Sequence, residues 1–280
     1  MVTRFAQQAL RTNRPDDLRF LAERWVKSTN SNWPSRLLPQ AARAVECGLN
    51  DERHGLFFRK QLYTWSIDIN LLSDLAQVVV QVCAEVLALT HPEQALVRLH
   101  HITRRHSGTA GEAARDALLE LVDSDRRLYR CLLARVTEGL MKDTARDLAL
   151  FCELAAPDRL TRTPPLIEDA AVRAHLSTGW SAVLGGLSSP ECAHPVRTWL
   201  AAAHENDQYR ELLLTVLVEG SGVDQLSCLY VVARDWAHSP GECRQERTGI
   251  ADRLKGMIDS VLGIDSTEFD LRDRTEGTTP

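Results

Sequence analysis

The segment "LLSDLAQVVVQVCAEVLAL", ending at Leu89, is apolar on almost every side of a 3.6-residue period. A helix without a broad polar face is covered by its neighbours, so this one is expected at the centre of a helical fold. Its most apolar part, "LAQVVVQVCAEVLAL" from Leu75 to Leu89, is interrupted by Gln77, Gln81 and Glu85 and is too short and too polar for a membrane span. Most other segments carry a narrower apolar stripe. In "RPDDLRFLAERWVKS", Leu18, Leu21, Ala22, Trp25 and Val26 share one side, Pro15, Asp16 and Asp17 suit a first turn, and Lys27 suits the last.

Helix punctuation runs along the chain. "LPQAARAVECG" reads as a short helix stopped near Gly48, and "DERHGLFFRKQLYTWS" as one capped by Asp51 and reaching Trp65. Thr90 to Glu93 and Thr109 to Glu112 have the spacing of capping boxes. "SDRRLYRCLLARVTEG" is expected to run from a cap near Ser124 to Gly139, and "DTARDLALFCELAAP" to stop at Pro157. His91-Pro92 and His194-Pro195 each read as lying near a helix start, without a repeat period between them.

The later segments "IEDAAVRAHLSTGW", "SPECAHPVRTWLAAAHE", "DQYRELLLTVLVEG", "VDQLSCLYVVARDWAH" and "ECRQERTGIADRLKGMIDSVLG" continue the style. Period-two alternation is rare, so the predicted class is all-α. Short links make consecutive helices antiparallel, as in an α-solenoid of the HEAT or armadillo kind or a multi-helix array. The helical domain is expected over 1–264, and the proline-rich stretch 157–166 reads either as a loop crossing one continuous domain or as an internal seam between two subdomains. The tail 265–280, with five acids, two arginines and few apolar residues, is expected to be disordered.

A net charge of -5 argues against wholesale attraction to nucleic acid but leaves room for a local basic patch. Seven cysteines, odd in number and never in CxxC, are expected as reduced thiols of a cytoplasmic protein. The N-terminal "MVTRFAQQALRT" lacks the apolar core of a signal peptide. The paired-cysteine spacing of zinc sites is missing, so neither metal nor cofactor is expected. There is no phosphate loop and no dinucleotide fingerprint. "GSG" reads as a turn, "HEND" is not HExxH, and Asp16-Asp17 and Glu168-Asp169 fit first turns better than an acid–base pair. The aromatic and basic residues of "RHGLFFRKQLYTW" lack a helix-turn-helix beside them. Trp25, Trp65, Trp180, Trp199 and Trp236 are read as core or inter-helix packing.

The densest chemistry lies in "VRLHHITRRHSG". On a helix, Ala95, Leu96, Leu99 and Ile102 share the core face. The histidine spacings do not chelate a metal, and Arg104, Arg105 and His106 suit a last turn before Gly108. Gln94, Arg98, His101 and Arg105 are expected in a line on the solvent side, with Arg126, Arg127 and Arg130 extending it. These six cationic residues are the candidate partner-binding stripe. The partner expected is a protein, with nucleic acid as the alternative. An enzyme with an unrecognised site in a helical bundle is the third reading.

"FFRKQLYTWSID", "LAQVVVQVCAEVLALTHPEQALVRLHHITRRHSG", "ARDALLELVDSDRRLYRCLLARV" and "CLYVVARDWA" together resemble the C-terminal helical region of large actinobacterial proteins whose N-terminal part is a P-loop ATPase. The resemblance covers about Arg53 to Leu262 and contains no catalytic motif. It implies a helical accessory module, a fragment or a stand-alone relative, and carries over no ATP hydrolysis and no residue roles.

Overall fold

The computed structural model describes residues 8, 14, 17, 45–46, 48–50, 52, 55–68, 73–161, 165–186, 189–240 and 243–263. Among the described residues every regular element is helical and there is no strand, as the periodicity predicts. The expected helix around Leu18 to Val26, the Asp51 cap and the tail 265–280 lie outside them. The chain divides into two compact units between Tyr129 and Arg130.

The first unit contains α1 (Gly55–Ile67), α2, α3 (Pro92–Arg105) and α4 (Thr109–Asp123). Helix α2 has three consecutive parts: α-helical Ser73–Val82, a π-helical turn Cys83–Leu87, and Ala88–Thr90. It packs on α1, α3 and α4, and Val78, Val79, Val80, Val82, Cys83 and Leu87 are all buried, as expected of a central helix. The π-turn closes with the Ala88 N–H donating to the Cys83 carbonyl. Helix α3 buries Leu96, Leu99 and Ile102, and α4 meets it with a stripe of small residues, Ala110, Gly111 and Ala114. Small side chains allow this close approach: a Cβ on Gly111 would lie 2.0 Å from the His106 carbonyl oxygen. Gly48 is held against Phe58 in the same way, with a Cβ meeting the ring at 2.2 Å.

Local hydrogen bonding corrects several expected caps. Thr90 does not cap α3: its hydroxyl bonds back to the Val86 carbonyl, and His91 is the N-cap, with Pro92 in the first turn. Thr109 lies inside α4, where its hydroxyl accepts from Gln77, and Gly108 takes the cap at a positive φ of 78°. Asp125, rather than Ser124, caps α5 (Arg126–Lys142), its carboxylate accepting from the Arg127 and Leu128 N–H groups. Both Thr–Glu spacings match a capping box, but a box forms only when the hydroxyl turns toward the N3 amide. Here each hydroxyl has another partner.

The second unit continues with α6 (Thr144–Leu154), α7 (Pro157–Leu160), a 3₁₀ turn (Leu166–Glu168), α8 (Ala170–Gly186), α9 (Ser189–Glu205), α10 (Asp207–Gly220), α11 (Val223–His238) and α12 (Arg244–Leu262). Helix α5 runs on past the expected stop at Gly139, where a Cβ would lie 1.9 Å from the Asp147 carboxylate. Glycine at that place serves close packing and does not terminate the helix. Pro195 lies well inside α9, which begins at Ser189 and not near His194. The "GSG" link is a turn, with Gly222 capping α11 and its N–H bonded to Gln225.

The core of this unit is aromatic. Phe151, Trp180 and Trp199 meet edge to face with centroids 5.7–6.3 Å apart, a geometry aromatic quadrupoles favour. Gly179 makes room for it, since a Cβ there would lie 2.3 Å from the Phe151 ring. The buried Tyr209 hydroxyl donates to the Ala155 carbonyl at 3.1 Å. These contacts tie α6 to α8, α9 and α10, so chain on both sides of 157–166 shares one core. The prolines there break helices locally without separating domains. Helices α8, α10 and α12 adjoin in sequence, as do α9 and α11, with α9–α10 and α11–α12 also in contact.

Candidate functional site

The expected basic stripe is not one solvent-facing line. Arg98 is only 6% exposed. Its guanidinium donates to the Gln94 carbonyl at 2.7 Å and, across to α1, to the Arg59 carbonyl at 2.8 Å. It also lies 5.8 Å from the Tyr63 ring centroid. The side chain is long enough to turn off the solvent side and join two helices. His101 is half-buried, with Nδ1 3.5 Å from the Ser66 hydroxyl and its ring edge-on to Tyr63. Only Arg105 of the α3 trio is exposed. At the start of α5, Arg126 and Arg127 are exposed, and Arg127 pairs with Glu93 at 3.0 Å. In the second unit, Arg130 pairs with Asp169 at 3.6 Å. The stripe is therefore part helix contact and part ion-paired surface.

The buried polar groups of the first unit are chemically quiet. Burial pushes the Cys83 thiol up to about 12, against the opposing pull of Arg98, so it stays protonated. Burial also lowers the Arg98 pKa, which the neighbouring thiol partly counteracts. The His106 pKa is lowered mainly by burial, with Asp68 opposing and Arg105 reinforcing the shift. In the second unit, burial pushes the Cys152 thiol up to about 11. Neither of these thiols is an activated nucleophile.

A groove of about 620 Å³ runs along α8 and α10. Ile167, Leu212 and Val216 give it an apolar floor, and exposed Glu168, Arg173, Gln208 and Glu219 stand around it. The sequence places Glu168 in a first turn and gives no sign that α10 comes to face it. Asp169 does cap its helix, its carboxylate accepting from the Ala171 N–H.

One constellation brings together three metal-ligating side chains. His204 in the last turn of α9, Cys243 at the N-cap of α12 and Glu246 in its first turn place one ligand atom each within 4.8 Å of one another. His204 Nε2 lies 2.8 Å from Glu246 Oε2. Arg210 holds the helix end that carries His204 by donating to the Ala203 and His204 carbonyls. Sequence reasoning missed the group because His204 belongs to "HEND" and its partners stand on another helix. The one local signal is that Cys243 and Glu246 are three residues apart.

Comparison with protein-family models gives no match, and comparison with curated proteins gives no significant match.

Proposed function

We propose that the chain is a non-catalytic helical protein–protein interaction module. The observation that carries this reading is the α8–α10 groove, whose aliphatic floor is ringed by side chains of both signs. An apolar floor supplies binding energy, and a mixed rim selects a partner of complementary charge. A nucleic-acid groove requires continuous positive charge, whereas here Glu168 and Glu219 outnumber Arg173 around the floor. The burial of Arg98 and the pairing of Arg127 and Arg130 with acids weaken the basic stripe as a phosphate track.

The alternation of adjoining helices in the second unit supports a solenoid-like stacking of helix pairs. The resemblance to the helical region of ATPase-type proteins supports a role as the accessory or sensing arm of such a regulator. Among the described residues no helix is long and apolar enough to cross a membrane, and none of the described cysteines is in a disulfide. Both facts favour the cytoplasm as the working compartment. The test is capture of partners from the native host with the wild-type chain and with Arg173→Glu/Glu219→Arg. The expected result is a nuclease-resistant protein partner retained by the wild type and lost by the charge swap. Identical captured proteins, or capture abolished by nuclease, would reject the reading.

A further inference from the structure

We propose that His204, Cys243 and Glu246 form a binding site for a single zinc-type divalent transition-metal ion. The donor set is imidazole nitrogen, thiolate sulfur and carboxylate oxygen, a combination that suits zinc. All three donors already lie within 4.8 Å of one another. Zinc bonds of about 2.0–2.3 Å in a tetrahedron require donor separations of about 3.3–3.6 Å. The 2.8 Å His204–Glu246 contact therefore opens by roughly half an ångström as the ion enters, and the Cys243 sulfur closes in. Side-chain rotation supplies both movements without shifting the helices.

The surroundings favour the ion. Cys243 and Glu246 lie at the N-terminus of α12, where the helix dipole stabilises negative ligands. Arg210 fixes the carbonyls beside His204, so that ligand is held from behind. Cys243 takes a left-handed backbone conformation, φ 59°, and is the one non-glycine residue with positive φ among the described residues. Glu246 is 69% exposed, which leaves the fourth position of the ion open to water. Binding displaces the thiol proton to solvent, and also the imidazole proton when His204 is charged, so apparent affinity rises with pH. The ion joins the end of α9 to the start of α12, two helices that already touch. The groove along α8 and α10 shares no residue with this site, so the two proposals stand or fall separately.

The test is equilibrium dialysis of the full chain against buffered Zn²⁺, with Co²⁺ absorption spectroscopy as a second readout. The wild type should bind one ion per chain, and the Co²⁺ form should show a thiolate charge-transfer band with tetrahedral ligand-field intensity. Cys243→Ser and His204→Ala should each weaken binding by at least about tenfold, since even partners outside the ligand shell carry that much. Cys243→Ser should also abolish the charge-transfer band, whereas Cys131→Ser, at an exposed cysteine in another helix, should leave both readouts intact. No stoichiometric ion in the wild type overturns the proposal. So does a Cys243→Ser chain that binds like the wild type, or a Co²⁺ spectrum lacking the thiolate band.

Discussion

Replacing Arg98 with alanine should unfold the α1–α3 contact far more readily than replacing Arg105. The alanine loses two charge-assisted hydrogen bonds, to the Gln94 and Arg59 carbonyls, and the approach to the Tyr63 ring. A hydrogen bond to a charged group contributes about 1.5–3 kcal/mol, and a partly desolvated cation–π contact about 0.5–2 kcal/mol. Only the Arg59 bond and the ring contact join different helices. Relief of the buried charge offsets part of the loss. The net cost for Arg98→Ala is therefore about 2–4 kcal/mol. With a urea slope of about 2 kcal/mol per molar, the middle of the usual range, the unfolding midpoint falls by roughly 1–2 M. Arg98→Met keeps the apolar stem and removes the charge, so it should cost about 1 kcal/mol or less. Exposed Arg105→Ala should stay within about 0.5 kcal/mol. Urea unfolding followed by circular dichroism gives the midpoints, and hydrogen exchange localises the loss to α1 and α3. Equal midpoints for Arg98→Ala and Arg105→Ala would refute the reasoning.

Gly179→Ala drives a methyl into Phe151 within the aromatic cluster and should destabilise by about 1–3 kcal/mol, read as a lower thermal midpoint with a changed near-ultraviolet circular dichroism spectrum. His106 has a lowered pKa, so the unfolded chain binds its proton more readily than the folded one. Its contribution to stability is whole above the unfolded value of about 6.5 and is lost as pH falls below it. His106→Gln should flatten the dependence of the urea midpoint on pH across that window, and an unchanged slope would assign it to other groups. Iodoacetamide should modify exposed Cys131 in the native state within the time that Cys83 and Cys152 stay unmodified, as peptide mass spectrometry would record.

Helical class was legible because amphipathic stripes and helix breakers recur along the whole chain. The buried Trp65, Trp180, Trp199 and Trp236 follow from the same pattern. What the pattern could not convey is which helix covers which face. Arg98 falls on the polar side of α3, yet α1 lies over that side and offers a carbonyl and an aromatic ring. The prolines of 157–166 look like a boundary in one dimension, but Tyr209 and Phe151 reach across them in three. His204, Cys243 and Glu246 meet only because the end of α9 lies beside the start of α12, which no short window of sequence contains.

The π-helical turn at Cys83–Leu87 has a consequence for reading relatives of this chain. Such a turn holds one residue more than an α-turn, and each residue advances a helix by about 100°. Positions after Leu87 are thus out of phase with a wheel drawn from Ser73, and Leu89, 83% exposed, faces outward despite its apolar run. A relative with a straight α-helix here should align with a single-residue deletion between Val82 and Ala88. A gap inside a buried helix would otherwise look like a sequencing or alignment fault. Here it marks where the extra residue entered, and experimental removal of one residue from the turn should restore a uniform helix while leaving His91 and α3 facing as they do now relative to the first part of α2.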